Sequence, residues 1–154
     1  MMYYTHIAFG LFSSLIFLHF FEIERRLLFV LAVLLFSVFP DIDIPTSKIG
    51  RKNKFFSRAI GFLFGHRGFL HAIYIPIVLF LIFYSASKEI SMGIFIGYFS
   101  HLLMDSLTRH GIKPLFPIIN KRIYGFIRVN SIFEKLFFLV IVLSNIFLAL
   151  NYML

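Results

Sequence analysis

The chain has 154 residues, of which 60% are hydrophobic and 14% are charged, and its formal net charge at pH 7 is +8. A typical soluble domain carries about a quarter of its residues as charged ones and cannot bury so much Phe, Ile and Leu, so the composition excludes an ordinary soluble domain. We predict a single membrane-embedded domain over residues 1–154. The absence of Cys excludes disulfides and thiolate metal sites.

In chain order, five apolar runs predict an all-α, polytopic protein with about five transmembrane helices. The second run has only 14 residues, about 21 Å as a helix, which is short for a hydrocarbon layer of about 30 Å. No basic leader or cleavage site is evident, so we expect the first helix to be retained. Between the second and third runs, RKNKFFSRAIGFLF (51–64) mixes basic and apolar residues and predicts a short interfacial helix. The five runs are Tyr3–Phe21, Leu27–Pro40, Phe69–Ser87, Ile90–Leu107 and Ile132–Leu154.

Lys and Arg are distributed unevenly between the two ends of these helices. With five spans, the two long polar segments and the start of the last helix share one face, and that face holds twelve of the fifteen Lys and Arg residues. The other face holds Arg25, Arg26 and Lys88. By the positive-inside rule, the long loops are predicted to be cytoplasmic and the C-terminus to lie outside. The positive surplus favours anionic membrane lipids as partners, and we expect no nucleic-acid partner.

Histidine and aspartate residues of four predicted helices fall at the same leaflet in this arrangement. Because the orientation was derived from Lys and Arg alone, this convergence is an independent observation. Ionisable groups in apolar segments are costly and usually functional. The residues are His6 at the start of the first helix, Asp41 and Asp43 at the end of the second, His66 and His71 at the opening of the third, with His71 in its first turn, and His101 and Asp105 in the fourth.

Local spacings also suit a shared site. His101 and Asp105 are four residues apart and lie on one face of a helix. In PDIDIP (40–45), Ile44 precedes a proline, which favours extended backbone; an extended segment would direct Asp41 and Asp43 to one point.

The two histidines that open the third helix converge only if the chain turns between them. His66 and His71 are five residues apart, about 140° around an ideal helix. They converge if His66 lies in a turn between Gly65 and Gly68, ahead of the helix.

A set of His and Asp ligands without Cys suits Zn²⁺ first, with Mn²⁺ or Fe²⁺ as alternatives, and its size would accommodate one or two ions. Such a site supports water activation for hydrolysis. We assign catalytic roles to Arg67, as a donor to an anionic substrate, and to Asp43, which is also counted as a ligand. Plainer interpretations stay open: His6 as an interfacial residue, the two aspartates as a helix end, and Arg67 as a topology charge.

Four sequence blocks resemble the signature of the YdjM family. These blocks are TH (5–6), FPDID (39–43), GHRGFLHA (65–72) and SHLLMDSLTRHGIKPLFP (100–117), and together they span most of the chain. The family comprises small membrane-bound proteins that are predicted metal-dependent hydrolases, named for a LexA-regulated member. The resemblance implies ligand positions at the seven His and Asp residues above, and accessory positions at Thr108 and Gly111. Leu70 and Ala72 depart from the usual Thr and Ser, which leaves the ligand positions intact.

Two functions of different classes follow from the same residues. The first is a hydrolase acting on phosphoester bonds of lipids or lipid-linked substrates at the cytoplasmic leaflet. The second is a transporter that moves metal ions or protons through the His/Asp cluster; the clustering at one leaflet and the lack of an internal repeat argue against it. An intramembrane protease is disfavoured because HExxH is absent, and a purely structural protein would leave the convergence unexplained.

Overall fold

A computed structural model describes residues 1–43 and 69–153 of the chain. The described part is helical, without β-strands beyond isolated bridges in the segment after the fourth helix. The predicted interfacial helix at 51–64 lies outside the described residues. The α-helices are α1 (Tyr3–Phe20), α2 (Arg26–Phe36), α3 (Tyr74–Tyr84), α4 (Lys88–Ser106) and α5 (Ile132–Met153), and two 3₁₀ turns cover Phe39–Asp43 and Phe69–His71.

Two of the described helices are long and apolar enough to cross a membrane, by length and composition: α1 and the Ile132–Asn151 part of α5. The helices α2 and α3 have 11 residues each, about 16 Å, because the apolar runs that contain them are only partly helical. The second run continues into the 3₁₀ turn at 39–43, and the third begins with the 3₁₀ turn at 69–71. Five spans therefore remain a prediction.

The outer faces of the helices carry many apolar side chains. Large exposed apolar surface is typical of a protein covered by another apolar phase. The exposed apolar residues include Ile77, Val78, Leu81 and Ile82 on α3, and Leu136, Leu139, Val140, Leu143, Ile146, Phe147 and Leu150 on α5.

Helix α4 lies at the centre of the bundle. It packs against α1, α2 and α3, while α5 packs on α1. Its start is capped by Ser87, whose hydroxyl oxygen accepts a hydrogen bond from the Ile90 amide at 3.3 Å. The packing against three helices buries about half of α4, including both of its candidate ligands, His101 and Asp105.

Two glycines of α4 bring its backbone close to α2. A Cβ atom at Gly93 would lie 2.7 Å from the carbonyl oxygen of Phe29, and one at Gly97 would overlap the carbonyl oxygen of Val33. Small residues four apart allow helix backbones to approach closely in this way. Because Gly93, Gly97, His101 and Asp105 follow one another at intervals of four, the α4 face that touches α2 ends in the two candidate ligands.

Candidate metal centre

Four buried side chains meet at one end of the bundle. Asp41, His71, His101 and Asp105 each offer a ligand atom, and these four atoms lie within 4.8 Å of one another. They come from the turn after α2, the turn before α3, and the last two turns of α4. Helices α2, α3 and α4 therefore run in alternate directions, so that one end of each lies at the cluster.

His101 is oriented by the backbone of the α2 end. Its Nδ1 lies 2.9 Å from the carbonyl oxygen of Ser37. A carbonyl oxygen only accepts hydrogen bonds, so Nδ1 carries the proton and Nε2 is left with its lone pair. Nε2 faces the other ligands, at 3.4 Å from His71 Nε2, 3.7 Å from Asp41 Oδ1 and 3.9 Å from Asp105 Oδ2. A backbone acceptor on the second ring nitrogen is the usual support of a metal-binding histidine.

His71 approaches the cluster from the turn before α3. Its imidazole is fully buried, and its Nε2 lies 3.8 Å from Asp105 Oδ2. The turn is a 3₁₀ segment, Phe69–His71, and α3 begins only at Tyr74. His71 therefore precedes the helix, where we had expected it in the first helical turn.

Asp41 is the ligand nearest to the protein surface. The residue is 8% exposed, whereas His71, His101 and Asp105 are each 0% exposed. The residues around Asp41 form a 3₁₀ turn over Phe39–Asp43, so the extended backbone on which the convergence of Asp41 and Asp43 depended is not found. The conformational restriction before Pro45 acts on Ile44 and left the preceding residues free to turn.

Asp105 connects the cluster to His6 of α1. The His6 Nε2 lies 3.4 Å from Asp105 Oδ1, and the His6 ring stacks on the His101 ring with centroids 4.0 Å apart. The Met1 amino group also lies on this side of the carboxylate, 2.7 Å from Oδ1. His6 thus joins the cluster at its edge, through Asp105.

The four-residue cluster can hold a metal ion. Around a tetrahedral zinc with ligand bonds of 2.0–2.1 Å, donor atoms lie about 3.4 Å apart. Four of the six separations between donor atoms are 3.4 to 3.9 Å, half an ångström or less above this value, and all six lie within 4.8 Å. Two carboxylates and two neutral imidazoles carry the charge that balances one divalent cation.

The accessory positions organise the segment that follows α4. The buried Thr108 hydroxyl donates to the Asp105 carbonyl oxygen at 2.8 Å and accepts from the Gly111 amide at 3.2 Å. Gly111 has a φ of +62°, a conformation that favours glycine, and a Cβ there would overlap the Ile123 carbonyl oxygen. These two residues therefore turn the chain at the end of α4, next to the ligand Asp105.

Three predicted site residues lie outside what the structure describes. His66 and Arg67 fall between the described ranges, and the side chain of Asp43 is likewise outside them. Their roles stay predictions.

Two residues near the cluster were not predicted from the sequence. The Ser37 carbonyl orients His101, and no side-chain pattern reports a backbone acceptor. Glu134 is fully buried and accepts from the Met2 amide and the Asn130 amide, each at 2.6 Å, so it ties the start of α5 to the start of α1. Its signal was available: Ser131 and Glu134 have the spacing of a helix capping box.

Two curated relatives share part of this sequence. An uncharacterized protein, YvsG of Bacillus subtilis, is 40% identical over 103 residues, 65% of this chain and 64% of that protein. The inner membrane protein YdjM of Escherichia coli is 37% identical over 93 residues, 56% of this chain and 47% of that protein. The matches thus cover less than two thirds of each relative. No solved structure matches the chain.

The match to a family extends further than the match to either relative. The profile of the family described as YdjM inner membrane protein covers residues 1–153. That range includes α1 to α5 and all four clustered ligands. The chain therefore belongs to the YdjM inner membrane protein family.

Proposed function

We propose that the chain is a membrane-bound, metal-dependent hydrolase of phosphoester bonds in lipids or lipid-linked substrates. The observation that carries the proposal is the buried cluster of Asp41, His71, His101 and Asp105, within 4.8 Å of one another. Polar side chains of this kind are expensive to bury without a shared cation, and the donor set without sulfur suits zinc, manganese or iron.

The cluster suggests separate roles for the metal ion and for each of its ligands. A divalent ion held there would supply an activated water and polarise a phosphoryl oxygen. His101, fixed by Ser37, and the fully buried Asp105 hold the inner side of the site. Asp41, the ligand nearest to the surface, marks the side from which a substrate would reach the ion.

The segment after α4 supports a lipid substrate. It begins at the same end of the bundle as the cluster, and it exposes apolar side chains beside basic ones: Ile118 is 82% exposed, Tyr124 69% and Phe126 68%, with Lys121 and Arg122 also exposed. Aromatic and basic side chains together are typical of a surface at the headgroup level of a membrane. With the positive charge on this side, we propose that the leaflet is the cytoplasmic one.

A transporter would use the same cluster as a relay and would need polar groups along its path. Among the described residues, the buried His, Asp and Glu side chains all lie at the cluster's end: His6, Asp41, His71, His101, Asp105 and Glu134. Buried polar residues farther along the helices are Ser14, Ser91 and Asn145, none of which titrates. The hydrolase is therefore the function that these residues favour.

The test is phosphate-ester cleavage by purified protein in vesicles that contain anionic phospholipid, with zinc or manganese added. We expect cleavage by the wild type, and a loss of at least about a hundredfold for Asp41→Asn, which removes a ligand charge but little volume. Glu24→Gln makes the same chemical change at an exposed position between α1 and α2 and should retain activity. Equal cleavage by wild type and Asp41→Asn would contradict the proposal.

A further inference from the structure

We propose that Asp105 bridges two cation positions, and that the second position lies between Asp105 Oδ1 and His6 Nε2. The inference rests on the metal site of the proposed function and assigns it a second ion. The ligand would be a divalent cation that accepts oxygen and nitrogen donors, such as Mn²⁺.

The two oxygens of Asp105 face different neighbours. Oδ2 lies 3.8 Å from His71 Nε2 and 3.9 Å from His101 Nε2, so it belongs to the four-residue cluster. Oδ1 lies 3.4 Å from His6 Nε2, on the other side of the carboxylate. A carboxylate that offers one oxygen to each side is the common bridge in paired metal sites, where the ions are about 3.5–4 Å apart.

His6 is buried without the hydrogen bonds that would normally accompany burial. Its side chain is completely inaccessible; within the described part of the chain Nδ1 has no hydrogen-bond partner, and Nε2 has the Asp105 carboxylate at the long distance of 3.4 Å. A buried polar group in that condition costs about 1–3 kcal/mol unless something else satisfies it. The ring plane is set by stacking on His101, at an angle of 17°, with Nε2 towards Asp105. A cation shared with Asp105 Oδ1 would satisfy that nitrogen.

A positive group already lies on this side of Asp105. The Met1 amino group contacts Oδ1 at 2.7 Å, and both groups have no exposed side-chain surface. The position therefore accommodates a cation, and a metal ion would compete with the amino group for Oδ1. With two side chains as ligands, the second ion would be held more weakly than the first, with coordination positions left for water or for a substrate oxygen.

The experiment is a Mn²⁺ titration of the full chain in detergent, read by metal content and by electron paramagnetic resonance. We expect the wild type to bind two ions per chain, the second more weakly, with the spectrum of an exchange-coupled pair. His6→Phe keeps a ring to stack on His101 but removes both nitrogens, so it should bind one ion with an uncoupled spectrum. His19→Phe, at the exposed far end of α1, is the matched control and should still bind two.

The outcomes separate the inference from the proposed function. One uncoupled ion in the wild type overturns the second position and leaves the hydrolase site standing, whereas no bound ion overturns both. Two coupled ions in His6→Phe would show that His6 is no ligand and would overturn the assignment. The wild-type stoichiometry decides the matter even if His6→Phe fails to fold.

Discussion

His101 contacts both the candidate metal ligands and the backbone at the end of α2. One ring nitrogen is held by the Ser37 carbonyl at 2.9 Å, and the other faces His71 and both carboxylates. Its i,i+4 partner Asp105 could be recognised from spacing alone, because helical geometry fixes which residues share a face. The contact with Ser37 could not be recognised from the sequence. Every residue has a backbone carbonyl, and the packing of α2 on α4 determines which carbonyl accepts the hydrogen bond from His101.

Substitutions of Arg67 and of His71 should have different effects on metal content and activity. His71→Ala removes a nitrogen from the cluster, so metal and activity should be lost together. Arg67→Lys should keep the metal and lose most activity, because a point charge replaces the planar fork that binds two phosphate oxygens. Metal content and phosphodiester cleavage, measured on both purified variants, check this; loss of metal from Arg67→Lys as complete as from His71→Ala would make Arg67 structural.

Among the elements, the pair α2 and α4 sets the geometry of the centre. The apolar runs predicted where the helices lie, because burial and lipid contact impose long hydrophobic stretches. They did not predict the 3₁₀ turns at 39–43 and 69–71, which depend on tertiary contacts such as the hydrogen bond from the Ile73 amide to the Pro114 carbonyl. The sequence GIFIG (93–97) carried the small-residue spacing of a close helix contact, and this signal was overlooked.

Gly97→Ala should lower the stability of the fold and the metal affinity of the centre, although Gly97 is not a ligand. The added methyl group would overlap the Val33 carbonyl oxygen, so α4 must move away from α2 and His101 from Ser37. Overpacking of this kind costs about 1–3 kcal/mol, and loss of the support to a ligand lowers metal affinity about 10–100-fold. Thermal unfolding and zinc titration measure the two effects. Leu103→Ala, on an exposed face of α4, should change neither by much; equal effects of both substitutions would refute a special role for Gly97.

For the whole molecule, the distribution of charge predicts the orientation in the membrane. The starts of α1, α3 and α5 and the ends of α2 and α4 lie at the cluster, which is the end that leads into the basic segment after α4. Because the chain has no Cys, single introduced thiols report position without background. Asn120→Cys should resist an impermeant thiol reagent applied to intact cells, and Lys88→Cys, at the opposite end, should react. The reverse pattern would place the cluster at the outer leaflet and change the available substrates.

The measurement that tests the central claim most directly is the metal content of the chain purified in detergent, after loading with zinc, manganese or iron and removal of free metal. We predict at least one tightly bound ion per chain for the wild type and for Glu24→Gln, and none for Asp105→Asn, although Asp105→Asn should still insert in the membrane. If the wild type retains no stoichiometric metal under any loading condition, the buried cluster of Asp41, His71, His101 and Asp105 is not a metal centre.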